Sequence, residues 1–122
     1  MPRKHTSPSS PDTFETVRRV GLTFAGVEAA TKYDGSPVLR VGGAFMAGVA
    51  THASAEPDTL VVRIGVEQRE DLLEDAPETY YLTDYFRPHP VVLVRLARID
   101  IDALRDLLSM SWRLTRAKGR AR

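Results

Sequence analysis

Arg40, Arg63 and Arg95 each sit inside a short apolar run, in the segments 38–41, 60–64 and 92–96. Successive side chains on a β-strand point to opposite faces. If Leu39 and Val41 face a core, Arg40 faces away. The same holds for Arg63 beside Leu60, Val62 and Ile64, and for Arg95 beside Val92, Val94 and Leu96. Three strands would then place an arginine on one outer sheet face, with Lys32 and Arg87 at its rim. A guanidinium fork donates two parallel hydrogen bonds to phosphate, and sheets that carry such groups can meet a nucleic-acid backbone. These five residues are the candidate nucleic-acid contacts. The same spacing also suits cross-strand pairing with acids such as Glu28, which is common on a wet sheet face.

Other chemistry is thinly represented. His5, His52 and His89 are scattered, and none has the helical spacing or the HExxH form of a metal site. His89 lies between Pro88 and Pro90, a rigid and exposed turn setting. There is no GxSxG elbow. Ser109 and Ser111 fall in a helical pattern, where a hydroxyl bonds back to a carbonyl or faces water. Gly42-Gly43 lacks the surroundings of a phosphate-cradling loop. Glu70, Asp71, Glu74 and Asp75 read as a solvated helix face. The chain has no cysteine, which removes thiolate metal sites, cysteine nucleophiles and disulfides. The expectation is a non-enzymatic protein with no catalytic residue, no metal and no cofactor.

The elements that must position the arginines follow from periodicity and turn chemistry. Asp12 or Thr13 offers an N-cap, and Phe14, Val17 and Val20 predict a helix to about Leu22. Strands are predicted over 28–33, 38–41, 45–49, 59–64 and 91–97. Asp34-Gly35-Ser36-Pro37 joins the first two, and Gly42-Gly43 marks a primed two-residue hairpin. A second helix is predicted over 66–76, with Val66, Leu72 and Leu73 inward and Pro77 stopping it. Tyr80, Tyr81, Tyr85, Phe86 and His89 form an aromatic connection. Exposed, these aromatics would make a protein-interaction patch; buried, they would pack under the last helix against Trp112. That helix starts at Asp100 and carries Ile101, Leu104, Leu107, Leu108, Trp112 and Leu114 as its apolar stripe. Helix, strands, helix, strand, helix is an α+β order: an antiparallel sheet of about five strands with helices on one face.

At 122 residues the chain suits one domain. Residues 1–11, with three prolines among polar residues, read as a disordered arm. Residues 12–116 are the domain and 117–122 a basic tail. All 16 acids lie between Asp12 and Asp106 with ten of the 17 lysines and arginines, so that window is acidic and both ends are basic. Basic ends can reach phosphate or an acidic partner, or merely solubilise frayed termini. The longest apolar run, Val91 to Leu96, is interrupted by Arg95 and far too short to span a bilayer. The arm has no apolar stretch of the secretory kind. A cytoplasmic monomer is expected, with DNA as a weak, salt-dependent partner or a protein as the alternative.

Several of these residues together resemble the MmcQ/YjbR family of small bacterial domains. They are Gly26-Val27-Glu28, then Thr31 and Tyr33 leading to Pro37, and Leu39-Arg40-Val41-Gly42-Gly43 with Phe45. Arg69 with Leu72-Leu73 follows, then Pro77-Glu78-Thr79-Tyr80-Tyr81-Leu82-Thr83-Asp84, and Val92-Leu93-Val94-Arg95-Leu96 with Trp112. The likeness spans 13–116. It implies a CyaY-like sandwich and, by similarity to the double-wing DNA-binding domain of a phage transcription factor, the DNA-binding label that members commonly carry. Arg40 and Arg95 match basic positions of the family pattern; Arg63 is placed by alternation alone. Where many members read roughly TDHYxGYP, this chain has Tyr85 at the histidine position and Pro88 at the glycine position, so no role for that histidine carries over. One extra residue between Tyr33 and Pro37 alters the first hairpin. A frataxin-like metal role would want an acidic ridge on the first helix, where Arg18 and Arg19 oppose Asp12 and Glu15.

Overall fold

Backbone freedom at a few glycines sets the hairpins. The computed structural model describes residues 13–120; the arm expected over 1–11 lies outside them, as do residues 121–122. Strand β1 (Val27–Thr31) turns into β2 (Pro37–Val41) through Asp34, whose carboxylate accepts bonds from the Ser36 amide and hydroxyl at 2.9 and 2.7 Å. Those bonds hold the Asp34 carboxyl below its ordinary range. They also shorten the expected strand: the Lys32 amide donates to the Ser36 carbonyl, so Lys32 and Tyr33 belong to the turn. Between β2 and β3 (Ala44–Val49), Gly42 and Gly43 take φ of +57° and +83°. Two consecutive positive φ values define the primed turn read from the sequence.

Strand β4 (Thr59–Arg63), β5 (Tyr80–Tyr81) and β6 (Val91–Arg95) complete an antiparallel six-stranded sheet in the order β1-β2-β3-β4-β6-β5. The sixth strand is β5, two residues of the aromatic connection. Three helices, α1 (Phe14–Gly21), α2 (Val66–Asp75) and α3 (Ile101–Arg120), pack on one face. Helix α3 runs through residues expected as the start of the tail. Its Asp100 side chain caps the Ala103 amide at 2.8 Å, as an N-cap should.

The main core lies between helices and sheet. Leu39, Leu60, Val62, Val92 and Val94 meet Val17, Leu104 and Leu108, all with no measurable exposure. The end of α1 approaches β2 so closely that a Cβ on Gly21 would lie 2.5 Å from the Leu39 side chain.

Two helix faces differ from expectation. On α2, Val66 is exposed and Arg69 takes the inward position with Leu72 and Leu73, because residues 69, 72, 73 and 76 share one stripe and Val66 sits in the first turn, beyond the core edge. On α3, Leu114 is exposed while Ser111 and Thr115 are fully buried. The reason lies in β3. Between the pairs Leu39↔Ala47 and Arg40↔Phe45 the register shifts and Met46 has no partner, a β-bulge. The Ser111 hydroxyl donates to the Met46 carbonyl at 3.2 Å. Ser111 is thus neither back-bonded nor solvated.

Candidate functional site

The bulge decides what the outer sheet face carries. Phe45 and Ala47 are two apart and would ordinarily share a face. With Met46 inserted, Ala47 enters the helix-side core and Phe45 joins the opposite side. There Phe45 meets Val61, Val91, Leu93, Tyr81 and Phe86, a second apolar cluster with no helix residue in it. The outer face is therefore not simply a wet, charged surface. Its centre is apolar and its cations are peripheral.

Alternation places Arg40, Arg63 and Arg95 on this face as expected, but in two separate corners. Arg40 is the register partner of Phe45, and the Arg63 guanidinium donates to the Phe45 carbonyl at 2.8 Å. The two arginines bracket Phe45. Glu28 is the register partner of Arg40 without closing to an ion pair, and Arg63 likewise has no carboxylate partner among the described residues. Arg95 lies opposite Thr59, at the far end of the β4–β6 pair from Arg63, about 13 Å along the strands. It makes a two-pronged bond to Glu56 at 2.8 and 2.9 Å and lies 4.3 Å from the centre of the Tyr81 ring. Hydrogen bonding to Arg95 holds the Glu56 carboxyl below its ordinary range. The cross-strand acid pairing considered for the sheet face thus occurs at Arg95, with an acid from the preceding loop in place of Glu28.

Two loops cover the rest of the face. Residues 50–58 and 82–90 are joined where the Ser54 and Thr83 hydroxyls meet at 2.9 Å. The His52 ring stacks on Tyr85 with centroids 3.5 Å apart, and Phe86 stands edge-on to Tyr85 at 4.9 Å. His52 Nδ1 accepts the Ser54 amide at 3.0 Å, which places the neutral ring's proton on Nε2. No local sequence pattern marks His52 for this contact, since its partner lies 33 positions away.

Beneath these loops are two adjoining clefts. One, of about 200 Å³, is lined by Lys32, Phe45, Thr51, His52, Tyr85 and Phe86 among others. The second, of about 280 Å³, shares Phe45, Val61, Tyr85 and Phe86 and adds Arg63, His89 and Val91. Each therefore combines aromatic walls with one cation. Arg87 is exposed beside them, 3.7 Å from Asp84.

The aromatic connection does not pack against Trp112. Strand alternation at β5 splits it: Tyr80 enters the helix-side core, while Tyr81 and Phe86 join the outer cluster. Trp112 instead stacks on Phe24 at 5.5 Å and donates to the Ala25 carbonyl at 2.8 Å. Among the described residues no group of histidine and carboxylate side chains is placed to hold a metal ion, and no helix is long and apolar enough to cross a membrane.

Over 66 aligned residues the chain is 38% identical to an uncharacterized protein of Mycobacterium bovis. The same identity relates it to uncharacterized proteins from two strains of Mycobacterium tuberculosis. The alignments cover 51% of this chain and 51% of each relative, so the chain spans about half the length of the curated relatives it matches. Residues 22–114, from the end of the first helix to the last turns of α3, match the sequence profile of YjbR, and the chain belongs to the YjbR family.

Proposed function

We propose that this protein is a non-enzymatic, cytoplasmic nucleic-acid-binding protein whose outer sheet face meets phosphates through Lys32, Arg40, Arg63 and Arg87. The observation that carries the reading is the bracket of Arg40 and Arg63 about Phe45, next to a cleft with Lys32 on its wall. Charge placement supports it. The acids of α2 (Glu67, Glu70, Asp71, Glu74 and Asp75) belong to the helix layer, on the other side of the sheet. Their repulsion of a ligand on the outer face is screened over roughly a Debye length, about 8–10 Å. Arg95 contributes little while Glu56 neutralises it.

The alternative, a protein-interaction module using segment 80–89, has less support. It needs one contiguous aromatic patch, and Tyr85, 52% exposed, stands out from a buried Tyr80 and half-buried Tyr81 and Phe86.

Binding of a fluorescent oligonucleotide, followed by anisotropy across a salt series, tests the reading. Three to four phosphate contacts give a slope of log K against log salt of about −2 to −4. The triple variant K32A/R40A/R63A is expected to lose at least about tenfold at low salt. Wild-type affinity in that variant, or no salt dependence, would sink the proposal. A gain-of-function arm is available at Glu56. Glu56→Gln removes the charge that neutralises Arg95 while the Pro77 and Glu78 carbonyls still hold its guanidinium in place, and the slope is expected to steepen by about 1. An unchanged slope would show that the Arg95 corner lies outside the contact surface.

A further inference from the structure

Resting on the nucleic-acid reading, we propose that the two aromatic clefts take unpaired bases, so that the preferred ligand is a single strand and not a duplex. Phosphate contact alone would be served by cations on an open sheet. This face instead builds aromatic walls between its cations: Phe45, His52, Tyr85 and Phe86 line the space from Lys32 to Arg63. A duplex keeps its base faces inside the stack and would leave those walls unmet. A single strand offers a π-face with every base and a phosphate beside each, and aromatic side chains interleaved with cations suit that alternation.

Size and construction agree with this occupant. Cavities for drug-sized ligands run to about 300–1,000 Å³. At about 200 and 280 Å³ the clefts are smaller, and each suits one planar group. Tyr85 and Phe86 line both, so they form the partition between neighbouring bases. Tyr85 is held there without being buried: His52 stacks on it, Phe86 braces it edge-on, and the Ser54–Thr83 bond ties the two loops together. A preorganised, half-exposed ring loses little freedom when a base stacks on it. Ring stacking and phosphate contact are available to every base, so the expected binding tolerates any sequence.

The test compares fluorescein-labelled dT10, rU10 and a ten-base-pair duplex at low salt, with unlabelled thymidine monophosphate as competitor. The expected order is dT10 or rU10 at least about tenfold tighter than duplex; whichever of the two is tighter identifies the natural strand. Tyr85→Ala is expected to weaken dT10 by about 5- to 100-fold and the duplex hardly at all. Tyr85→Phe keeps the ring and should bind dT10 as wild type does, which separates stacking from any loss of fold. Equal binding of duplex and dT10, or a Tyr85→Ala variant with wild-type affinity while Arg63→Ala weakens both ligands, would overturn the single-strand inference and leave the phosphate-contact reading standing. Thymidine monophosphate matching dT10 would also overturn it, in favour of a free-nucleotide site. Binding of none of the three oligonucleotides would remove both.

Discussion

Replacing Arg69 with alanine is expected to destabilise the fold by about 3 kcal/mol, lowering the melting temperature by roughly 10 °C. Arg69 is 5% exposed, the one charged side chain that α2 buries. Its Nη1 donates to the carbonyls of His89 at 2.8 Å and Val91 at 3.2 Å, with the Arg87 carbonyl at 3.4 Å. A bond to a charged donor contributes about 1.5–3 kcal/mol where it is buried; that holds for the Val91 bond, while those to Arg87 and His89 are half-buried and contribute less. Nε has no hydrogen-bond partner, since Glu70 at 3.9 Å is too distant for one. The Glu70 pair therefore contributes only a screened Coulomb attraction.

Arg69→Met keeps the apolar stem and removes the donors, so it should recover the packing share and remain about 2 kcal/mol short. Urea melts of the wild type and both variants decide this. Equal stability of Arg69→Met and wild type would show that the carbonyl bonds contribute nothing net. The three carbonyls belong to the segment that carries Phe86 and closes the second cleft. Arg69 is thus a positioning residue for the outer face, reached from the helix layer. At temperatures where the variant stays folded, its loosened loop should weaken dT10 binding more than duplex binding.

The second large effect contrasts two leucines on opposite faces of the sheet. Leu60→Ala opens a cavity in the helix-side core and is expected to cost about 3–5 kcal/mol. Leu93→Ala, on the outer face, is expected to cost about 2–4 kcal/mol, because Leu93 too has no measurable exposure. A wet sheet face would behave differently, with substitutions there falling within about 0.5 kcal/mol. Chemical denaturation of both variants separates the cases. A loss below about 1 kcal/mol for Leu93→Ala would mean that Phe45, Tyr81 and Phe86 do not form a packed second cluster. The result bears on function, since that cluster is the floor of both clefts.

Much of the architecture was legible in the sequence because it rests on local rules. Alternation in 59–64 and 91–97 predicted strands and the facing of Arg63 and Arg95. Gly42-Gly43 predicted the primed turn, since two positive φ values are cheap only for residues of that kind. Asp100 predicted its helix start. The apolar stripe of α3 was legible through Leu104, Leu107 and Leu108, and the family resemblance covered the matched region.

What stayed hidden depends on contacts between residues far apart in the chain. Strand order and the bulge at Met46 are set by how β3 pairs with its neighbours; Phe45 stands outward opposite Arg40, and the insertion is what turns Ala47 to the other face. Arg69 sits beside the acids of α2 that read as a solvated face, and only the family resemblance marks it; the packing of α2 against 87–91 is what turns it inward. His52 and Tyr85 become a stack because two loops close over one sheet face. The sequence by itself determined five of the six strands, the turns and the face on which three arginines stand, because backbone geometry and side-chain period act over a few residues. The tertiary structure alone decided that the arginines divide into a bracket about Phe45 and a corner neutralised by Glu56, with aromatic clefts between, because burial and ion pairing are settled by partners that only folding brings within a few ångströms.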